Sequence, residues 1–351
     1  MGKLNDLLQQ QGSEVATPET QVFDAPTIEG GKIDFPTQGE KQLGIPQVNV
    51  PDIRTSAVLA TLTITEWSGV KKDRKASDDV TMRHGAVSNA AKVNKELLPN
   101  FRELKDIHNF VAAARKRHIQ LTMPWGERGQ RLLPTAMLPE YKAWATETEE
   151  LFHELRTAVG SKYEWEVRKV SAAGSELGTL YDANDYDSRA VVEGKFSITF
   201  DYNPIPAADD FRVDVGKDAL QELQASCDAA YARVIEDTTA DLWKRLHEPL
   251  QNMVAQLQEA NFDGSIRGFK KNGEPKEAGF KETLVPNVMH IVRMMEVANW
   301  SDNPVMDDAI RKLKSDLTGI TSGMLKSNTL AREKVRATAE NVLQSIPSLN
   351  I

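Results

Sequence analysis

Histidine is the first residue type to test for chemistry, because imidazole serves both as general base and as metal ligand. The six histidines are His84, His108, His118, His153, His247 and His290. None of them forms a close zinc-type pair, and Cys227, the single cysteine, excludes a Cys-x-x-Cys site. Cys227 falls on an apolar helical stripe and reads as a small core residue. No Gly-x-Ser-x-Gly elbow presents a nucleophile. Gly30-Gly31 lacks both the strand and the lysine of a phosphate cradle. Asp182, Asp185 and Asp187 are spaced like a weak cation loop, yet lack the glycine and distal glutamate of a calcium hand. Glu147, Glu149, Glu150 and Glu154 read as a solvated helical face rather than a general acid–base pair. No catalytic residue, metal site or cofactor is assigned, and the expectation is a protein that binds and does not catalyse.

Binding chemistry has better candidates. Three basic segments could contact phosphates while neighbouring aromatics stack on bases. The first is Lys71-Lys72-Asp73-Arg74-Lys75, after Gly69. The second is Arg115-Lys116-Arg117-His118, within one helix. The third runs through Arg267, Lys270, Lys271, Lys276 and Lys281, interleaved with Phe262, Phe269 and Phe280. Against this stands a net charge of −8, which argues against nonspecific coating of nucleic acid, and each segment also reads as a solubilising surface. The stretch Thr122 to Pro134 carries two prolines, two glycines, Trp125, Arg128 and Arg131 between helices. It is either a rigid connection with Trp125 tucked into the core or a recognition loop presenting the residue types that dominate binding hot spots.

These residues need a frame, and the hydrophobic periodicity supplies one. From Ala60 the sequence alternates, with Leu62 and Ile64 on one face and Thr61, Thr63 and Thr65 on the other, which predicts a strand over Val58 to Trp67. Phe196, Ile198, Phe200 and Tyr202 predict a second strand, and Phe211 to Val215 a third. Between the first two lies a helical excursion: Ser77 to about Leu98, about Leu104 to Leu121, and Pro139 to Gly160 with further turns to Val170. A short helix is expected over Asp185 to Val192. Leu220, Leu223, Cys227, Tyr231, Val234, Leu242, Leu246, Leu250, Met253 and Leu257 then predict one helix of about 40 residues, about 60 Å long, with Pro249 inside it. A helix of that length calls for a long partner, and the excursion from Pro139 to Val170 is the expected one. Three C-terminal helices follow, at about Phe280 to Trp300, Pro304 to Thr318 and Leu330 to Ile346, the middle one opened by the N-cap and N1 pair Asn303-Pro304. The fold class is α+β, mainly α: long antiparallel helices of coiled-coil type with one small antiparallel sheet of about three strands.

Residues 1–55 differ from the rest. Pro18, Pro26, Pro36, Pro46 and Pro51 break regular structure, while Val22, Phe23, Ile28, Ile33, Phe35, Ile45, Val48, Val50 and Ile53 recur as isolated apolar anchors. The expected organisation is an extended arm over 1–55, a core of sheet and long helices over 56–260, and a C-terminal helical region over 261–351. Hydrophobic residues make up 40% and charged residues 27% of the 351, a globular balance. The start is too polar for a secretory signal and no stretch is apolar enough for a membrane span. A reducing compartment is expected from the lone cysteine.

Several segments together carry a resemblance. Thr65-Glu66-Trp67-Ser68-Gly69 leads into Lys71-Lys72; Phe110 to His118 leads to Leu121-Thr122-Met123-Pro124-Trp125; Arg131-Leu132-Leu133-Pro134 and Phe196-Ser197-Ile198-Thr199-Phe200 follow. Over about residues 56–260 the chain resembles an uncharacterised family of tailed-phage and prophage proteins, a domain of unknown function. Genes of that kind often lie near a MoxR-type ATPase and a von Willebrand A-type protein, or near replication genes. The resemblance implies a phage protein of the host cytoplasm or the virion. It carries no activity, and the expected function is self-assembly into an oligomer or service as a structural accessory, with the N-terminal arm docking on a neighbour. Two alternatives stand beside it: a nucleic-acid-binding accessory of phage DNA metabolism, contacting single- or double-stranded DNA, and an adaptor for a MoxR-type ATPase or another phage or host protein.

Overall fold

The computed structural model describes residues 50–126, 129–172, 176–206, 217–258, 266–269, 275–277 and 282–347; for 50–52, 217–220, 266–269 and 275–277 it describes the backbone alone. Helix α1 (Val50–Ser56) runs straight into β1 (Ala57–Thr65). The excursion comprises β2 (Val70–Asp73), α2 (Arg74–Arg83), β3 (Val93–Glu96), α3 (Arg102–Leu121), β4 (Met123–Pro124), β5 (Arg131–Pro134), α4 (Leu138–Ser171) and α5 (Arg189–Gly194). Strand β6 (Ser197–Asn203) returns to the sheet and α6 (Lys217–Gln256) follows it. The chain closes with the hairpin β7 (Ile266–Phe269) and β8 (Pro275–Glu277), then α7 (Leu284–Ala298), α8 (Pro304–Leu317), α9 (Ser322–Ser327) and α10 (Thr329–Ser345). The architecture is α+β and mainly α.

The main sheet is antiparallel, in the order β4-β5-β1-β6. β1 and β6 pair from Leu59↔Asn203 to Thr65↔Ser197, which brackets the whole excursion between two neighbouring strands. Thr63 and Thr65 are exposed, and Leu62 and Ile64 face apolar neighbours, as the alternation dictates. The sheet nevertheless has four described strands where about three were expected. Met123–Pro124 and Arg131–Pro134, read from sequence as loop, form a hairpin whose second strand pairs with Ala57 to Ala60. Leu132 and Leu133 are fully buried there, enough apolar surface to hold a short strand that propensity alone would not mark. The third expected strand, Phe211 to Val215, lies outside the described residues.

Helix α2 and the long helices differ from the expected arrangement. The helix read from Ser77 to Leu98 is capped instead by Asp73, whose Oδ1 accepts from Ala76 N at 2.9 Å, and it ends at Arg83. Gly85 (φ 59°) and Asn89 (φ 65°) turn the chain back through left-handed backbone. Residues 93–96 then pair antiparallel with β2, and Ser77 Oγ accepts from Val93 N at 3.0 Å. The long helices also depart from the expected pairing. The turns from Pro139 to Val170 fuse into one 34-residue helix, α4, but α4 packs chiefly on α3 and α5, while the 40-residue α6 packs on α7 and α10.

The cores explain that choice. One hydrophobic cluster joins α1, β1, the β4–β5 hairpin, the start of α4 and helices α6 to α10, with Trp243, Leu246, Leu250, Met253, Met295 and Leu313 each at most 1% exposed. The second joins α3, α4, α5 and the distal half of β1 through Phe101, Ile107, Phe152, Val159 and Phe196. The apolar stripe of α6 is satisfied by the C-terminal helices and that of α4 by α3, so neither long helix needs the other. The described residues, from Val50 on, form one compact unit, and the boundary expected at 260 is not a core boundary. Nor does the leader extend to residue 55: Ile53 of α1 is fully buried in the first cluster. Asn303 caps α8 as expected, accepting from Val305 N and Met306 N at 3.0 and 3.2 Å.

Candidate functional site

The second basic segment lies on the last turns of α3, and its residues have separate fates. Arg115 is tied to Glu66 at 2.9 Å and to the Ile64 carbonyl at 3.2 Å, so it fastens α3 to β1. His118 is buried and shares a 2.6 Å hydrogen bond with the Tyr141 hydroxyl. Burial, with the Arg131 guanidinium adding like charge, pushes His118 down to about 4. Lys116 and Arg117 point elsewhere, into a groove of about 760 Å³ between α3, α6 and α7.

The C-terminus of α3 organises that groove. A helix ends in carbonyls without intrahelical partners and with partial negative charge. Arg245 of α6 donates to two carbonyls there, Gln120 O at 3.3 Å and Thr122 O at 3.0 Å, while pairing with Asp241 at 2.7 Å. His290 of α7 lines the groove as well, and its Nε2 is buried without a hydrogen-bond partner among the described residues. Desolvation, followed by the Arg117 charge, holds His290 below the usual imidazole range. Lys116 and Arg117 neither ion-pair nor hydrogen-bond with another described residue. The floor is aliphatic, from Ile119, Ile291 and Met294, and Glu248 is the acidic residue of the lining. The groove can therefore accept a small anion or a polar segment with acidic groups.

The remaining sequence candidates do not join this groove. Lys71 pairs with Asp185 at 2.8 Å, whereas Lys72 and Arg74 are exposed on the β2–α2 corner. Arg131, which the recognition-loop alternative would present to a partner, is turned inward, its Nε donating to Thr122 Oγ1 at 2.7 Å. Trp125 is half-buried and stacks on Tyr231, the ring centres 5.9 Å apart. That packing fits the rigid-connection alternative for this tryptophan. Arg267 sits on β7, described by its backbone alone; Arg128, Lys270 and Lys271 lie outside the described residues. Arg245 and His290 were missed from sequence. Nothing in local spacing marks them, since they reach the groove only because α6 and α7 pack beside α3.

Two of the three aspartates that resembled a cation loop, Asp185 and Asp187, are occupied by the protein's own cations. Lys95, with its side chain 6% exposed, sits 2.6 Å from Asp185 and 3.1 Å from Asp73 and donates to Leu180 O at 2.5 Å. Lys195 pairs with Asp187 at 2.6 Å, and Asp182 Oδ1 caps Asn184. This cluster pins the β2–β3 hairpin to the turns before α5. Among the described residues no group of three or more His, Cys, Asp or Glu could hold a metal ion, and no helix is long and apolar enough to cross a membrane.

A different kind of surface runs along α4. Leu151 and Trp165 are 44% and 59% exposed, and half-buried Ala158 stands midway between them. The three recur every seven residues and so stay on one face of the helix. Around Ala158 the residues Thr157 and Ser161 leave a shallow hollow of about 510 Å³, flanked by Glu150, His153 and Glu154. Lys169 Nζ stands 5.5 Å from the Trp165 ring centre. No protein-family model matches this chain, and comparison with curated proteins and with solved structures likewise gave no match.

Proposed function

We propose that this chain is a non-enzymatic, self-assembling component of the tailed-phage kind that its sequence resembles. The observation that carries this reading is the bare face of α4, where Leu151, Ala158 and Trp165 line up at heptad spacing on a 34-residue helix whose opposite side is already buried. Single exposed apolar residues are ordinary on a protein surface. An aligned set on a long helix is what a helix–helix interface uses. The leader's spaced apolar residues, outside the described part of the chain, add contacts with a neighbouring subunit in this reading. The test is sedimentation of the full chain across a wide concentration range. Association to a defined oligomer is expected; a monomer at every concentration, up to the highest reached, overturns the proposal.

The α3–α6–α7 groove favours a second reading, contact with the phosphates of a nucleic acid, because unpaired Lys116 and Arg117 face it beside Arg245. Each phosphate contact would add to a steep salt dependence. Fluorescence anisotropy with a single-stranded oligonucleotide should then show binding that weakens with salt and that Lys116→Glu with Arg117→Glu abolishes. Binding unchanged in that double variant counts against the groove as the contact.

A further inference from the structure

We propose that α4 pairs with α4 of a second copy of the chain, antiparallel, across a two-fold axis passing beside Ala158. This rests on the self-assembly reading and adds to it the surface, the partner and the direction.

Charge complementarity points to the partner. Along the outer face of α4 the first half carries exposed Glu147, Glu150 and Glu154, and the second half carries exposed Lys162, Arg168 and Lys169. Glu164 interrupts the basic half, and Arg168 leans toward it at 3.8 Å. Glu147, Glu150, Glu154 and Lys162 have no ion-pair partner among the described residues. A surface acidic at one end and basic at the other is complementary to itself when one copy is reversed. Side-by-side parallel pairing would instead set glutamate against glutamate and lysine against lysine, which like-charge repulsion penalises.

The register follows from the apolar residues. With the axis beside Ala158, Leu151 of each copy meets Trp165 of the other, so the two large exposed side chains cover one another twice. The same register sets Glu154 opposite Lys162 and Glu147 opposite Lys169. Thr157, Ala158 and Ser161, the small residues of the hollow, fall at the crossing point, where the backbones come closest. Every contact is then made twice, as an isologous interface demands. Heptad spacing of the contact residues corresponds to a shallow left-handed crossing of about 20°.

Cysteine cross-linking of the full chain reads the direction directly, in a Cys227→Ser background that removes the native thiol. Ala158→Cys places two thiols at the axis, and a rapid disulfide-linked dimer is expected under mild oxidation. Leu151→Cys should not cross-link, because its counterpart lies about 21 Å further along the partner helix than Trp165, a span of 14 residues. Cross-linking of both variants alike would indicate a parallel pair and overturn the proposal. Sedimentation supplies the second arm. Trp165→Glu, at an exposed site, should leave the circular dichroism spectrum unchanged and raise the dimer Kd by about thirty-fold or more. Glu154→Lys should also weaken the dimer, and adding Lys162→Glu should restore it, because the exchanged charges face each other again only in the antiparallel register. An oligomer insensitive to all of these variants overturns the α4 pairing while leaving self-assembly standing. A chain that is monomeric throughout overturns both.

Discussion

His118 couples proton binding to the stability of the core. The folded chain keeps this imidazole neutral down to about pH 4, against an ordinary value of 6.5, through burial and then the nearby Arg131 charge. The unfolded chain binds the extra proton first as pH falls below 6.5, so acid favours unfolding between those values and stability rises with pH across the window. The loss between pH 7.5 and pH 5 is about 2 kcal/mol from this residue alone. His290, also depressed, contributes with the same sign. Urea denaturation of His118→Gln should show a clearly shallower rise in stability from pH 5 to pH 7.5 than the parent chain; identical slopes would disprove this account. Lys95 tests a different balance. Lys95→Met removes the cation that Asp73 and Asp185 share, leaving Asp185 with Lys71 alone and Asp73 with no ion-pair partner among the described residues. Truncating one partner of a well-buried pair costs roughly 3–5 kcal/mol, and proximity to the surface reduces this to about 2 kcal/mol. Equal denaturation midpoints for parent and variant would show that the cluster contributes nothing.

Between elements, the decisive contacts are often small. Gly69 turns the chain from β1 toward β2 at φ +68°, and a Cβ there would come within 2.6 Å of Leu104 Cδ2 on α3. Gly69→Ala combines left-handed backbone strain with a steric conflict against a buried leucine, for a loss of about 2–3 kcal/mol. In a Leu104→Ala background the same substitution should cost distinctly less, since the conflict is gone and only the backbone term remains; a double-mutant cycle with no coupling would contradict this. This contact also shows where the sequence falls silent. α3 and the strands β1 and β6 were legible because their own apolar spacing defines them, and α8 because Asn303 also caps it. The β4–β5 hairpin was not, because Met123-Pro124 and Arg131 to Pro134 become strands only through pairing with Ala57 to Ala60. β3 was hidden for the same reason, inside what local helix signals made a helix. The groove was half legible: Lys116 and Arg117 announce themselves as a charge run, whereas Arg245 and His290 join them only by tertiary packing.

At the scale of the molecule, the limit of the leader is a physical question with a measurable answer. Composition alone runs the proline-bearing leader to residue 55. Yet Val50–Ser56 is helical, and Ile53 is fully buried in the cluster formed by β1, α6 and the C-terminal helices. Composition misleads here because one seven-residue helix with Pro51 in its first turn offers too few residues for a periodicity to emerge. Two truncations, one beginning at Val50 and one at Ser56, differ by six residues, of which Ile53 is the apolar anchor. Removing a buried isoleucine from a packed core costs about 2–5 kcal/mol, so the shorter chain should be less stable than the longer one by about 3 kcal/mol, with a matching drop in denaturation midpoint and an unchanged m-value. Ile53→Ala in the longer chain should reproduce most of that loss, which separates burial of this side chain from the mere presence of a helix. If the two truncations unfold together, α1 does not belong to the core. If they differ as expected, any test of the leader in self-assembly has to keep Val50 onward, because a cut at residue 55 would lower the oligomeric state simply by loosening the body that carries α4.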